Sequence, residues 1–165
     1  MLVFDFGKYI LDIDVNKTRE FYGQAKALTD RCDCQGCRNY AAWAEVLSPE
    51  AKGRLETVGL SLEKAQEVYV KCRFPDGTLS YAGWYHLRGR ILEGPDPWVR
   101  IDDRGRYLAR ESFVYIGENY RVTFTEDISL LDENFPMPVI QMEIEAKIPF
   151  TLPEECEYGI CDYQW

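Results

Sequence analysis

Histidine is nearly absent from this chain, and the motifs of several common enzyme classes are missing. His86 is the only histidine among 165 residues, which excludes metal motifs built on two histidines and limits acid–base chemistry to one imidazole. The sequence contains no Gly-x4-Gly-Lys-Ser/Thr loop, Gly-x-Ser-x-Gly elbow or His-Glu-x2-His helix. Nucleotide-driven, serine-hydrolase and ordinary metalloprotease chemistry therefore lack support.

Long apolar runs and Gly/Ser-rich linkers are missing as well. Asp5, Asp12 and Asp14 interrupt the apolar N-terminal residues, which have no basic leader, so we expect neither a signal peptide nor a membrane span. We therefore predict a cytoplasmic protein. In a reducing compartment the six cysteines are expected to be thiols or metal ligands, not disulfides. Without a linker or repeat, residues 1–165 are predicted to form a single domain.

Basic residues are scarce near the C-terminus. Residues 126–165 contain ten of the 28 acidic side chains and one basic residue, Lys147, so they account for the whole net charge of −9. This pattern favours either an acidic surface for a basic protein or a cation, or an ordinary solvated β-face with a frayed acidic tail. Nucleic acid is not an expected partner, because contacts to phosphate need a basic stripe.

Apolar and polar residues alternate in several segments, as is typical of half-buried strands. The clearest alternation carries Ile140, Met142, Ile144, Ala146 and Ile148. Six or seven such strands joined by turns predict an α+β fold, which is mainly an antiparallel sheet or β-sandwich with two or three helices inserted near the N-terminus. The helical, cysteine-containing insertion covers about residues 16–59, the β-rich part about 66–150, and the acidic tail 151–165.

Local signals place the ends of the helices. Asn16 is the predicted N-cap of the first helix, because its side chain can accept a hydrogen bond from the first turn. Ser48 followed by Pro49 is typical of another helix start, and Gly59 is the expected stop of that helix.

The sequence around the turn Pro-Asp-Gly-Thr predicts a β-hairpin. If Phe74 lies opposite Leu79, then Cys72 pairs with Tyr81 on the apolar face. His86, further along the second strand, then lies on the other face. We therefore expect Cys72 and His86 to point to opposite sides of the sheet.

The segment Cys32-x-Cys34-x2-Cys37 places three sulfurs just before a helix expected to begin near Arg38. Three interpretations remain open. A zinc site would need a fourth ligand, for which Cys72 or His86, but not both, is a candidate; Cys156 and Cys161 are the other candidates. A redox site would use the Cys-x2-Cys spacing at the start of a helix. Alternatively, the cysteines are small part-buried side chains in a tight loop.

Trp84, His86 and Arg88 share one face of a predicted strand. This combination can bind an anionic or aromatic ligand, or it is a solvated face whose arginines pair with nearby acids. If a cysteine thiolate or a metal-bound water acts as nucleophile, His86 is the only imidazole that can serve it.

Two functions follow from these observations. The first is a non-enzymatic binding or protein-interaction domain with a structural zinc. The second is a small enzyme with His86 as its acid–base group, which requires the cysteine loop and the Trp84/His86 face to share one cleft.

Three segments carry a resemblance to a known family: the cysteine motif continued by Arg38-Asn39-Tyr40, the run Asp76–Leu87, and Phe135-Pro-x-Pro-Val139. In these segments the chain resembles an uncharacterised family of small proteins from clostridial gut bacteria. The resemblance implies a cytoplasmic bacterial origin. It brings no activity, substrate or binding residue to this chain.

Overall fold

A computed structural model describes all 165 residues and confirms the α+β fold with a mainly antiparallel sheet. The helices are α1 (Val15–Gln24), α2 (Leu28–Arg31), α3 (Gln35–Val46) and α4 (Pro49–Thr57). The strands are β1 (Leu2–Asp5), β2 (Ile10–Ile13), β3 (Glu67–Arg73), β4 (Thr78–Glu93), β5 (Trp98–Asp102), β6 (Gly105–Leu108), β7 (Val114–Gly117), β8 (Tyr120–Thr125) and β9 (Val139–Pro149). None of the helices has the length and apolar character needed to cross a membrane.

The 16-residue strand β4 organises the seven-stranded main sheet. One edge of β4 pairs with β9 from Thr78 to Arg88. Its other edge is shared, since β3 pairs with the first half and β2 with the second. β1 extends the sheet beyond β2, β8 and β7 extend it beyond β9, and β5 and β6 form a separate two-stranded sheet.

Helix α1 closes the gap that β2 and β3 leave along β4. The Tyr22 hydroxyl donates to the His86 carbonyl at 2.8 Å and accepts from the His86 N–H at 3.0 Å. The Thr18 hydroxyl accepts from the Arg88 N–H at 3.1 Å. Buried backbone groups need such partners, so two helix side chains replace a strand there. Asp14, not the predicted Asn16, caps this helix by accepting from the Lys17 N–H.

The helices cover one face of the sheet and enclose the core with it. Tyr81 and Tyr85 of β4 point into this core and are fully buried. Tyr85 shares a 2.6 Å hydrogen bond with Tyr40 of α3, and the Tyr81 hydroxyl donates to the Gly36 carbonyl at 2.6 Å. We call this side the core face of the sheet, and the opposite side the outer face.

The pairing of β3 with β4 corrects the predicted hairpin. Cys72 lies opposite Ser80, not Tyr81, because Leu79 lies opposite Arg73 and not Phe74. The register shifts again at a bulge between Val70 and Cys72. An extra residue in a strand reverses the face of every side chain beyond it. Cys72 therefore lies on the outer face, together with His86.

The C-terminal segment (residues 150–165) is packed against the domain and is not a frayed tail. It passes along α3 and reaches the edge of β3, where Arg73 bonds to Gly159 and Cys161 through backbone hydrogen bonds of 2.7 Å each. It ends on the outer face, where the Trp165 ring lies 4.0 Å from the guanidinium of Arg121. Residues far apart in sequence thereby become neighbours.

A disulfide joins Cys72 to Cys161, which corrects the expectation of six thiols or metal ligands. The contact of the C-terminal segment with β3 brings the two Cα atoms to 5.0 Å across a sequence separation of 89 residues. Disulfides are typical of oxidising compartments, so the cytoplasmic location stays a prediction.

Candidate metal centre

The connection between α2 and α3 gathers three cysteines. Cys32 follows the last residue of α2, and Cys34 is the N-cap of α3, where its sulfur accepts a hydrogen bond from the Cys37 N–H at 3.4 Å. Helix α3 begins at Gln35, three residues before the predicted start near Arg38, so Cys37 lies in its first turn. The three Sγ atoms lie within 4.8 Å of one another and can hold a metal ion.

The three thiols differ in their surroundings. Cys37 is buried, Cys32 is half-buried and Cys34 is exposed. Burial raises the pKa of the Cys37 thiol. The pKa of Cys32 is lowered, first by a hydrogen bond from the Cys34 backbone and then by the neighbouring thiols. Cys32 therefore loses its proton more readily than Cys37.

The structural context does not favour a thioredoxin-type redox site. Such a Cys-x2-Cys motif follows a strand within a βαβ unit. Here the short helix α2 comes before the cysteines, and the sheet near them is antiparallel. A metal site, for which the three sulfurs are close enough, and small side chains in a tight loop remain the two other interpretations.

The C-terminal segment lies against the start of α3. The Gln35 side chain donates to the Glu155 carbonyl and accepts from the Glu157 N–H, both at 2.9 Å. The Gly36 N–H donates to the Tyr158 hydroxyl at 3.1 Å. A side chain at position 36 would meet that hydroxyl at 2.9 Å, so the close approach requires glycine.

A salt bridge reinforces this contact. Arg38 donates to the Glu154 carboxylate, with one N–O distance of 3.0 Å. This hydrogen bond is the main reason that the pKa of Glu154 falls to about 2. Because both side chains are well exposed, the pair contributes little to stability.

The structure does not bring either predicted fourth ligand to the cysteines. Cys72 is bonded to Cys161, so neither sulfur is a free thiol. His86 lies on the outer face, where its Nε2 is 3.0 Å from Oε1 of Gln141. Because α3 packs on the core face, the sheet separates His86 from the cluster.

The structure buries His86 and leaves Trp84 and Arg88 partly exposed. His86 is 2% exposed, with its ring against Phe135 from the connection between β8 and β9. Trp84 donates to the Ser129 carbonyl of the same connection at 3.2 Å. The face is therefore covered around His86, while Arg88 pairs with Asp14 at 3.9 Å, and ligand binding by these three residues stays a prediction. Phe135 was visible in the sequence, but nothing there showed which strand it covers.

A buried polar row on the outer face was missed by the sequence analysis. Gln141 bonds to His86 and donates to the Glu143 carboxylate at 2.6 Å. Burial raises the pKa of Glu143 and lowers that of His86. The alternation along β9 identified these positions, but polar residues opposite an apolar face were assigned to solvent. The covering loop made that assignment wrong.

The same geometry removes the basis of the predicted enzyme. That hypothesis requires the cysteine loop and the Trp84/His86 face in one cleft. They lie on opposite faces of the sheet. A thiolate or metal-bound water at the cysteines has no imidazole beside it.

No known protein-family model matches this chain, and no curated protein or solved structure is significantly similar to it. The resemblance to clostridial proteins therefore stays a prediction.

Proposed function

We propose that this protein is a non-enzymatic binding or protein-interaction domain that holds a structural zinc ion with Cys32, Cys34 and Cys37. The observation that carries the proposal is the cluster of three Sγ atoms within 4.8 Å of one another. Thiolates are preferred ligands of zinc in structural sites. At this position the ion would hold α2 to α3.

A structural role is supported by what surrounds the cysteines. The side chains of Gln35 and Arg38, which flank the cluster, bond to the C-terminal segment. The only imidazole of the chain lies across the sheet. General acid–base catalysis needs such a group within hydrogen-bonding reach of the reacting atoms.

A basic protein is the partner that we propose for the domain. The acidic residues of the C-terminal forty positions include several that are exposed and make no ion pair: Glu126, Asp132, Glu133, Glu155, Glu157 and Asp162. These residues lie in two places, the β8–β9 connection and the C-terminal segment, and unpaired charges of one sign attract a partner of opposite charge. Pull-down from the native host tests this part, and recovery of no stable protein partner would contradict it.

Metal content tests the zinc site directly. Protein purified without chelators or a His-tag is expected to contain about one zinc per chain by elemental analysis. The Cys34→Ser variant removes an exposed ligand with little disturbance of the core, and is expected to lose the metal. The Ser48→Ala variant, at the cap of the next helix, should keep it. Wild-type protein without metal, with all free thiols reactive, would refute the site.

A further inference from the structure

One sulfur besides the cluster is a free thiol. Of the six cysteines, Cys32, Cys34 and Cys37 form the cluster, and the disulfide occupies two others. Cys156 remains, half-buried, free and packed beside the hydrophobic core. A zinc ion bound by three thiolates has one tetrahedral position left to fill. Cys156 is the one remaining free thiol of the chain that could fill it.

The start of α3 holds the backbone on both sides of Cys156. Gln35, the residue directly after Cys34, accepts from the N–H of Glu157 and donates to the carbonyl of Glu155 at 2.9 Å each. One side chain thus bonds to the residue before Cys156 and to the residue after it. These bonds tie Cys156 to the same turn that carries the metal ligands.

Two further contacts hold this stretch in place. The Tyr158 hydroxyl accepts from the Gly36 N–H, and Glu154 pairs with Arg38. The disulfide anchors the segment a few residues later, at Cys161. The chain around Cys156 is therefore fixed at both ends, which reduces the entropy lost when a ligand is ordered.

We propose that Cys156 is the fourth ligand and that the site is a four-thiolate zinc centre joining the C-terminal segment to α3. This inference rests on the proposed zinc site. The Cys156 sulfur lies outside the group of three in this structure, so the proposal requires it to move to the ion while Gln35 holds the backbone on both sides. Each coordinating thiol releases its proton to solvent as its sulfur binds the ion.

The proposal makes the C-terminal segment part of the metal site. Residues between Pro149 and Cys161 would then be held by a metal ligand as well as by the disulfide. Metal binding and disulfide formation would stabilise the same segment, and removal of the metal would loosen its first half.

Cobalt substitution tests this proposal. Wild-type protein loaded with Co²⁺ is expected to show the visible bands of a tetrahedral site with four thiolates. The Cys156→Ser variant is expected to show shifted d–d bands, weaker thiolate-to-cobalt charge transfer, and zinc binding weakened at least about tenfold, since even outer-shell partners of metal ligands act on that scale. Cys34→Ser is the comparison variant, because it removes one of the three cysteines of the cluster itself.

A second measurement covers variants that fold poorly. In wild-type protein, zinc is expected to slow alkylation of Cys156 to the same extent as that of Cys34, as followed by peptide mass spectrometry. If Cys156→Ser binds cobalt with the wild-type spectrum, or if zinc leaves Cys156 unprotected while protecting Cys34, the fourth ligand is not Cys156 and the three-thiolate site stands. If wild-type protein binds neither metal, the proposed zinc site itself fails.

Discussion

His86 belongs to a row of hydrogen-bonded polar side chains buried on the outer face of the sheet. Its imidazole meets Gln141, whose amide reaches Glu143. Such networks are stable only while every member has a partner, because an unpaired polar group away from water costs about 1–3 kcal/mol. The single histidine is therefore a structural residue whose protonation state affects the fold.

Acid is expected to destabilise the protein through His86. Burial lowers the pKa of His86 in the folded state, whereas in the unfolded chain it is about 6.5. Below that pH the unfolded state binds more protons than the folded state, so the free energy of unfolding decreases as the pH falls, by at most about 1.4 kcal/mol per pH unit for this group.

The comparison with His86→Gln isolates this effect. The substituted amide can still donate to Gln141 but does not titrate. Urea unfolding at about pH 7 and about pH 5 is expected to show a smaller loss of stability in the variant than in the wild type. Equal losses in the two proteins would mean that His86 does not contribute to the acid sensitivity.

At the level of secondary structure, the sheet depends on close contact between β3 and β4. Gly83 pairs with Val68, and a Cβ atom at Gly83 would lie 2.2 Å from the Glu67 carbonyl oxygen. That oxygen belongs to the backbone and cannot move without moving the strand. Strand β3, which carries Cys72, can therefore approach β4 this closely because Gly83 has no side chain.

Gly83→Ala is expected to lower the free energy of unfolding by about 1–3 kcal/mol, the range found for overpacked cores. Gly53→Ala is the matched control, because Gly53 lies inside α4 and a Cβ atom added there would meet no other atom within 4 Å. That substitution is expected to raise the stability by about 0.5–1 kcal/mol through helix propensity. Chemical unfolding measures both, and a Gly83→Ala variant as stable as the wild type would contradict the close contact.

The sequence predicted those strands and helix ends that depend on residues close together in the chain. The alternation ending at Ile148 matches β9, and Ser48 caps α4 by accepting from the Ala51 N–H as expected. The bulge beside Cys72 left no mark in the sequence, because an extra residue in a strand looks like any other. It puts Cys72 on the opposite face from Val70, whereas the predicted pairing is wrong because Arg73, not Phe74, lies opposite Leu79.

The candidate site was predictable only in part, because some of its contacts come from residues far away in the sequence. Three cysteines within one turn predicted their own cluster, which the structure confirms as a group that can hold a metal. The residues that bond to Gln35 and Gly36, beside the cluster, come from residues 154–158, more than a hundred positions away. The bond between Cys72 and Cys161 likewise depends on the folded path of the C-terminal segment, which no local pattern specifies.

Across the whole molecule, the C-terminal segment connects both faces of the sheet. It contacts α3 on the core face, bonds to Arg73 at the edge of β3, and reaches Ser80 and Arg121 on the outer face. The disulfide lies in the middle of this path. The disulfide therefore holds covalently a segment that is otherwise held to the sheet by the chain at Pro149 and by noncovalent contacts.

Loss of the disulfide is expected to lower the free energy of unfolding by about 2–4 kcal/mol, because the open chain regains the entropy of a long loop on unfolding. The Cys72→Ser variant should melt at a lower temperature than the wild type. A phosphine reductant should lower the melting temperature of the wild type and leave that of the variant unchanged. A wild-type melting temperature that does not respond to the reductant would contradict this prediction.

The bond between Cys72 and Cys161 also makes residues 72–161 a covalent ring that contains β4 to β9. The four helices, with β1, β2 and most of β3, lie on a linear arm outside it. A protease cut within the ring leaves one molecule with two new ends. A cut in the arm, for example between α3 and α4, leaves two chains joined only by packing, so the candidate zinc cysteines would be separated from the sheet once the protein is denatured.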